Sequence, residues 1–183
     1  LHCSVRRQRQ MCIRDSSQYR VGLNGKEFRL YKFRTMTESS DESIHEDHYK
    51  NLSLNKNIHP SLSPDDPIRI ENDDRITNIG SFLRKTSLDE LPNIVNVLFG
   101  QMSFVGPRPL VKYESDLYGE YLESRNSIKP GITGLAQIQG RLDLSLQERL
   151  YWDLIYVEKK SFIYDLQIII KTIISVISRR GAN

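Results

Sequence analysis

Residues 87–109 read SLDELPNIVNVLFGQMSFVGPRP, and the groups able to do chemistry stand at its two ends. Asp89 and Glu90 are adjacent, just ahead of Pro92, and Arg108 is fixed between Pro107 and Pro109. A site that handles phosphate needs a carboxylate to hold Mg²⁺ or attack phosphorus, and cations to neutralise the equatorial oxygens. Asp89 and Glu90 are candidates for the first task. Lys32, Arg34, Arg108 and Arg141, each in a turn or strand-end setting, are candidates for the second. Between prolines Arg108 loses little backbone entropy on binding, and its planar fork suits two-point contact with phosphate. A plainer reading competes. Ser87-Leu-Asp-Glu90 also fits a helix capping box, the commoner meaning of such a string, and a single arginine is ordinarily a surface ion-pair partner. Pro92 complicates the capping box, because proline favours a first helical turn and would start the helix near Leu91 or Pro92.

The elements that must position these groups are legible in outline. Asn24-Gly25 lies between two short strand-like segments and predicts a small hairpin or sheet near residues 20–35. In its second arm Phe28, Leu30, Lys32 and Arg34 share one face, and Tyr31, Phe33 and Thr35 the other. Residues 37–67 are polar and read as a long loop; His45 and His48 within it lack the further ligands a metal site needs. Ile76, Ile79 and Leu83 are spaced for a helix after Asp73 and Asp74, and Leu91–Phe99 reads as a core helix ending at Gly100. Tyr113, Leu117 and Tyr121 suggest another helix, stopped by KPGITG at 129–134. Ser145 and Glu148 match a capping box at the head of a helix through Val157. In the last segment Gln167, Lys171, Ser175 and Arg179 form a polar stripe on an otherwise apolar helix. Such a helix packs into a core or lies in a membrane interface.

Composition narrows the function classes. The chain of 183 residues is 38% hydrophobic and 27% charged, and has no unbroken apolar run long enough for a spanning helix. Arg6, Arg7, Arg9 and Arg14 against Asp15 give residues 1–16 a local +3, so the rest of the chain carries no net charge. Without a basic excess outside that stretch, nucleic acid is not an expected partner. Cys3 and Cys12 also lie there, which excludes a disulfide framework elsewhere. SVRRQRQMCIRDS resembles translated adapter sequence, so residues 1–16 are expected to be a non-native or disordered leader, and residues 17–183 the working domain.

Three ordered strings, QYRVGLNGKEFRLYKFRTM, NDDRITNIGSFLRKTSLDELPNIVNVLFGQMSFVGPRPL and PGITGLAQIQGR, resemble the bacterial sugar transferases. These are the monotopic phosphoglycosyl transferases that begin lipid-linked glycan synthesis. The resemblance implies transfer of a sugar-1-phosphate from a UDP-sugar to undecaprenyl phosphate, for exopolysaccharide, capsule, O-antigen or glycoprotein glycans. It implies Asp89 as the nucleophile that becomes a phosphosugar-aspartate, with Mg²⁺ held by Asp89 and Glu90. Glu90 alternatively acts as a base toward the lipid phosphate or holds the corner. Lys32, Arg34, Arg108 and Arg141 would bind the diphosphate and nucleotide. The implied location is the cytoplasmic face of the bacterial inner membrane, and a homo-oligomer is left open. The family's apolar re-entrant helix would precede Gln18, where the leader stands instead. Hence a second expectation: an inactive, membrane-peripheral remnant that binds nucleotide sugar. The expected fold is α+β, predominantly helical, with a small hairpin or sheet and a C-terminal amphipathic helix.

Overall fold

The computed structural model describes residues 15–37, 75–140 and 144–178. Arg141, His45 and His48, Arg179, residues 1–14 and nearly all of the 37–67 loop lie outside the described residues. The architecture is mixed α and β and mostly helical, as the sequence predicts.

The chain opens with the hairpin. β1 (Asp15–Val21) pairs antiparallel with β2 (Glu27–Phe33), in a register that sets Gln18 opposite Leu30. Asn24 and Gly25 both take positive φ (51° and 75°), the combination for which an Asn-Gly turn is chosen. β1 begins at Asp15. The alternation of β2 drives Phe28 and Leu30 into a core with Met102, and delivers Lys32 to the edge of the same face.

After β2 the backbone meets the start of the next element. Thr37 N–H donates to the Arg75 carbonyl at 3.0 Å, Thr77 N–H to the Thr35 carbonyl at 3.0 Å, and Met36 bridges Ile76. Ile76 is therefore a bridge residue, not part of the helix face predicted for it. Helix α1 (Asn78–Thr86) starts one residue past Thr77, whose hydroxyl accepts from Gly80 N–H. It ends at Ser87 in the left-handed region (φ 56°), a conformation costing on the order of 1 kcal/mol for a residue with a Cβ. A 3₁₀ turn (Leu88–Glu90) and Pro92 lead into α2 (Asn93–Leu98). Here the prediction of a core helix is overturned: Asn93 and Asn96 are buried, while Ile94, Val95, Leu98 and Phe99 are exposed, Leu98 at 80%.

β3 (Ser103–Val105) pairs in parallel with β4 (Gly131–Thr133). Between them lie α3 (Lys112–Ser115), a 3₁₀ turn (Asp116–Tyr118) and α4 (Tyr121–Arg125). The single helix expected there is broken at Gly119, where φ is 50°. α5 (Leu135–Gln139) follows β4, then α6 (Leu146–Lys159) and α7 (Phe162–Ile177). The capping box of α6 is present as predicted, Ser145 and Glu148 each satisfying the other's backbone N–H. α6 is the central pillar: Leu150 packs with Leu110 and Tyr118 on one side, and Tyr156 with Val105, Leu135 and Ile168 on another. Each such fully buried apolar side chain contributes roughly 1.5–3 kcal/mol.

Candidate active site

The two acids are separated by the turn that carries them. Ser87 makes no side-chain cap bond, and the capping box expected from Ser87 and Glu90 does not form. Leu88–Glu90 instead winds as a 3₁₀ turn, in which successive side chains diverge by about 120°. Glu90 turns inward. Its Oε1 accepts from Lys32 Nζ at 2.7 Å and lies 3.6 Å from an Arg108 guanidinium nitrogen. Asp89 stands beside this cluster, half-buried, and its carboxylate makes no hydrogen bond or ion pair among the described residues.

Electrostatics separates the acids further. Burial pushes the Asp89 carboxyl above the usual aspartate range, and the charge of Glu90 adds to the shift, against opposition from Lys32, Arg84 and Arg108. Lys32 is held below the usual lysine range, again chiefly by burial, although Glu90 pulls the other way. One carboxylate is tied down; its neighbour is desolvated and available.

Arg108 owes its position to backbone held from behind. Gly106 and Gly131 pack so closely that a Cβ on Gly131 would lie 2.1 Å from the Gly106 nitrogen, so only glycine fits. Gly131 N–H donates to the Pro107 carbonyl at 2.9 Å. From α4, the buried Arg125 donates from NH2 to the Arg108 carbonyl at 2.6 Å, and both Nε and NH2 lie 2.8 Å from Asp153 of α6. A second buried pair, Arg149 with Glu114, lies alongside. Burial alone would raise the Glu114 carboxyl, but Arg149 with Arg20, Arg108 and Arg125 brings it below the usual range.

A small cleft is lined by Arg20, Lys32, Glu90, Asn93, Arg108 and Gln137 over a floor that includes Leu30 and Met102. Of the residues singled out in the sequence, Lys32, Glu90 and Arg108 thus meet in one place, with Asp89 at its side. Arg34 lies past the end of β2 and is not among the cleft walls; Arg141 is outside the described residues. Sequence reasoning missed Arg20, Asn93 and Gln137, and also Arg125 and Asp153. The only available signal was polarity inside otherwise apolar runs, as at Asn93 in LPNIVNVL.

The sequence pattern that defines the bacterial sugar transferases matches residues 11–179. The chain belongs to that family. Among curated relatives it is 44% identical, over 163 residues, to an undecaprenyl-phosphate galactose phosphotransferase of Salmonella typhimurium, and 42% identical over the same length to a UDP-galactose-lipid carrier transferase of Erwinia amylovora. Each match takes in 89% of this chain and 33% of the relative. It is also 41% identical to the exopolysaccharide production protein ExoY of Sinorhizobium fredii, across 89% of this chain and 70% of that protein. This bacterial sugar transferase chain therefore spans about a third of the length of the first two relatives. The matched region contains the whole cluster around Glu90, so the geometry above sits inside the family's shared portion.

Proposed function

We propose that the chain transfers a sugar-1-phosphate from a UDP-sugar to undecaprenyl phosphate through an intermediate bound covalently to Asp89. The observation that carries this reading is a desolvated carboxylate, unpaired among the described residues, beside a lysine and an arginine that share one glutamate. The names of the relatives, a UDP-galactose-lipid carrier transferase and an undecaprenyl-phosphate galactose phosphotransferase, point to the same substrates.

In the first step an Asp89 carboxylate oxygen attacks the β-phosphorus of the UDP-sugar. The bond from that phosphorus to the bridging oxygen breaks, UMP leaves with the electron pair, and the phosphosugar stays on Asp89 as an acyl phosphate. In the second step a phosphate oxygen of undecaprenyl phosphate attacks the same phosphorus. The Asp89 carboxylate is released and undecaprenyl-diphosphate-sugar forms. Lys32 and Arg108 neutralise the diphosphate, and Glu90 holds both cations in place while keeping them from pairing with Asp89. Arg34 and Arg141 are assigned to nucleotide binding on the resemblance alone.

Among the described residues no group of three or more His, Cys, Asp or Glu gathers for a metal. Mg²⁺ asks for less, since it keeps several waters and takes one or two carboxylates together with substrate phosphates. Asp89 fits that role; Glu90 Oε1 is already engaged by Lys32 and Arg108. Bound there, Mg²⁺ would offset the repulsion between the Asp89 carboxylate and the diphosphate.

The reading extends to location. α7 leaves Phe162, Ile163, Leu166, Ile170, Ile173 and Ile177 exposed, and among the described residues no helix is long and apolar enough to cross a membrane. Such an apolar face suits a helix lying in the cytoplasmic surface of the inner membrane, where a polyprenyl phosphate would be met.

The test is UMP release from a UDP-sugar with Mg²⁺, together with mass analysis of the acid-quenched protein. The wild type is expected to release UMP and to carry a phosphosugar on the peptide containing Asp89. Asp89→Asn is expected to lose both, by at least about 10³-fold in rate, as when a covalent nucleophile is removed. Turnover that persists in Asp89→Asn would overturn the reading, and absence of turnover in the wild type would favour the inactive remnant.

A further inference from the structure

α2 buries two asparagines three residues apart, and their situations differ. Asn96 is saturated: its Nδ2 donates to the Arg29 carbonyl and to Gln101 Oε1, each at 2.7 Å, and its Oδ1 accepts from Tyr31 N–H at 3.3 Å. It binds α2 to β2 and explains its own burial. Asn93 is 2% exposed and lines the cleft, yet among the described residues its Oδ1 has no hydrogen-bond partner. Gln137 lines the same cleft and is partly buried. Its Nε2 donates to the Ile132 carbonyl at 3.3 Å, which orients the amide and leaves a buried Oε1 without a partner among the described residues.

A buried acceptor left unsatisfied costs about 1–3 kcal/mol, so two of them in one small cleft call for a ligand that supplies the missing donors. The surroundings restrict which ligand. Arg20, Lys32 and Arg108 against Glu90 leave the cleft walls net positive, which disfavours a metal ion on the two amide oxygens. Phosphate oxygens are equally unsuited, because acceptor would face acceptor. A neutral donor remains: a hydroxyl, an N–H or a water.

We infer that Asn93 and Gln137 form a sugar subsite in which their carbonyl oxygens accept from hydroxyl groups of the hexose whose phosphate is held by Lys32 and Arg108. The inference rests on the phosphosugar-transfer reading, which places a hexose next to the phosphate. The two amides select the sugar; the cations hold whatever is phosphorylated. Selectivity follows because a hydroxyl turned away from Asn93 or Gln137 leaves that oxygen unsatisfied, and discrimination of this kind far exceeds that of a merely apolar pocket.

The experiment measures binding by calorimetry, so that it does not depend on turnover. The full chain is titrated with UDP-glucose, UDP-galactose and UDP, and with UDP-2-deoxy-, UDP-3-deoxy-, UDP-4-deoxy- and UDP-6-deoxyglucose. Variants are Asn93→Leu, near in volume to asparagine, Asn93→Ser as a milder change, and Gln137→Met, each checked by thermal melting. The variants are expected to bind the preferred UDP-hexose about 10- to 100-fold more weakly than wild type, with UDP affinity within a factor of two. One deoxy analogue is expected to bind wild type as weakly as the parent sugar binds the variant, and to be insensitive to the substitution. Equal losses for UDP and UDP-hexose would overturn the sugar assignment in favour of the nucleotide. Unchanged affinity for every ligand in folded variants would overturn it in favour of a trapped water. Either result leaves the phosphosugar adduct on Asp89 to be judged separately.

Discussion

At the scale of single residues, the site works by giving neighbouring groups unlike surroundings. Asp89 and Glu90 are chemically almost the same, yet Glu90 is fixed by Lys32 and Arg108 while Asp89 is desolvated and, among the described residues, unpaired. If the ionised Asp89 is the nucleophile, activity falls at low pH as it protonates, and its raised pKa moves that fall above the usual aspartate range. If protonated Lys32 holds the diphosphate, activity falls at high pH, and its lowered pKa brings that fall below the usual lysine range. Glu90 raises both groups. Removing its charge in Glu90→Gln is therefore expected to shift both limbs of the rate profile to lower pH, read as UMP release across a pH series. Limbs that stay in place, or move apart, would show that these two groups do not set the profile.

At the scale of elements, the question is what holds Arg108, a residue on a loop. The close-packed Gly106 and Gly131 hold it from one side and the Arg125–Asp153 pair from another. Arg125 is a positioning residue, acting on Arg108 through its backbone carbonyl. Arg125→Lys keeps a charge for Asp153 but lacks the fork that also reaches the loop. A modest drop in melting temperature is expected, with kcat/KM for UDP-sugar reduced by roughly 10²-fold, the scale associated with ångström displacements in a site. A loss of activity no larger than the loss of folded protein would mean that the loop holds itself. The sequence made some elements plain. Asn24-Gly25 announced the hairpin, the two-residue period carried Lys32 to the core edge, and Ser145 with Glu148 announced α6, because each signal is local. The same local logic misread Ser87-x-x-Glu90, since nothing within four residues reveals that Lys32 and Arg108 compete for Glu90. Asn93 and Asn96 were hidden for a related reason: which face of α2 is buried depends on β2 and β4, not on the polarity of α2. The Arg125–Asp153 contact joins residues 28 apart and leaves no periodic trace.

At the scale of the whole molecule, apolar surface is left outside on α2 and α7, where a packed core would hide it. The sequence left α7 open between core and interface, and the structure buries Ile168 while leaving Phe162 84% exposed. Phe162→Ser with Ile163→Ser and Ile177→Ser is expected to leave the melting temperature within about a degree, because exposed positions add little to stability. The same triple variant is expected to reduce partitioning onto phosphatidylglycerol vesicles by 10-fold or more in a sedimentation assay, as apolar area enters the interface. Equal partitioning would remove α7 from the membrane contact.

The paired backbone at residues 35–37 and 75–77 has a consequence of a different sort. Two hydrogen bonds and a bridge fasten the strand side to the helix side there, so the intervening 38–74 stretch starts and finishes at one fastened point. The tie at 35–37 and 75–77 therefore fixes Lys32 on one side and the turn carrying Asp89 on the other, whatever sequence stands between them.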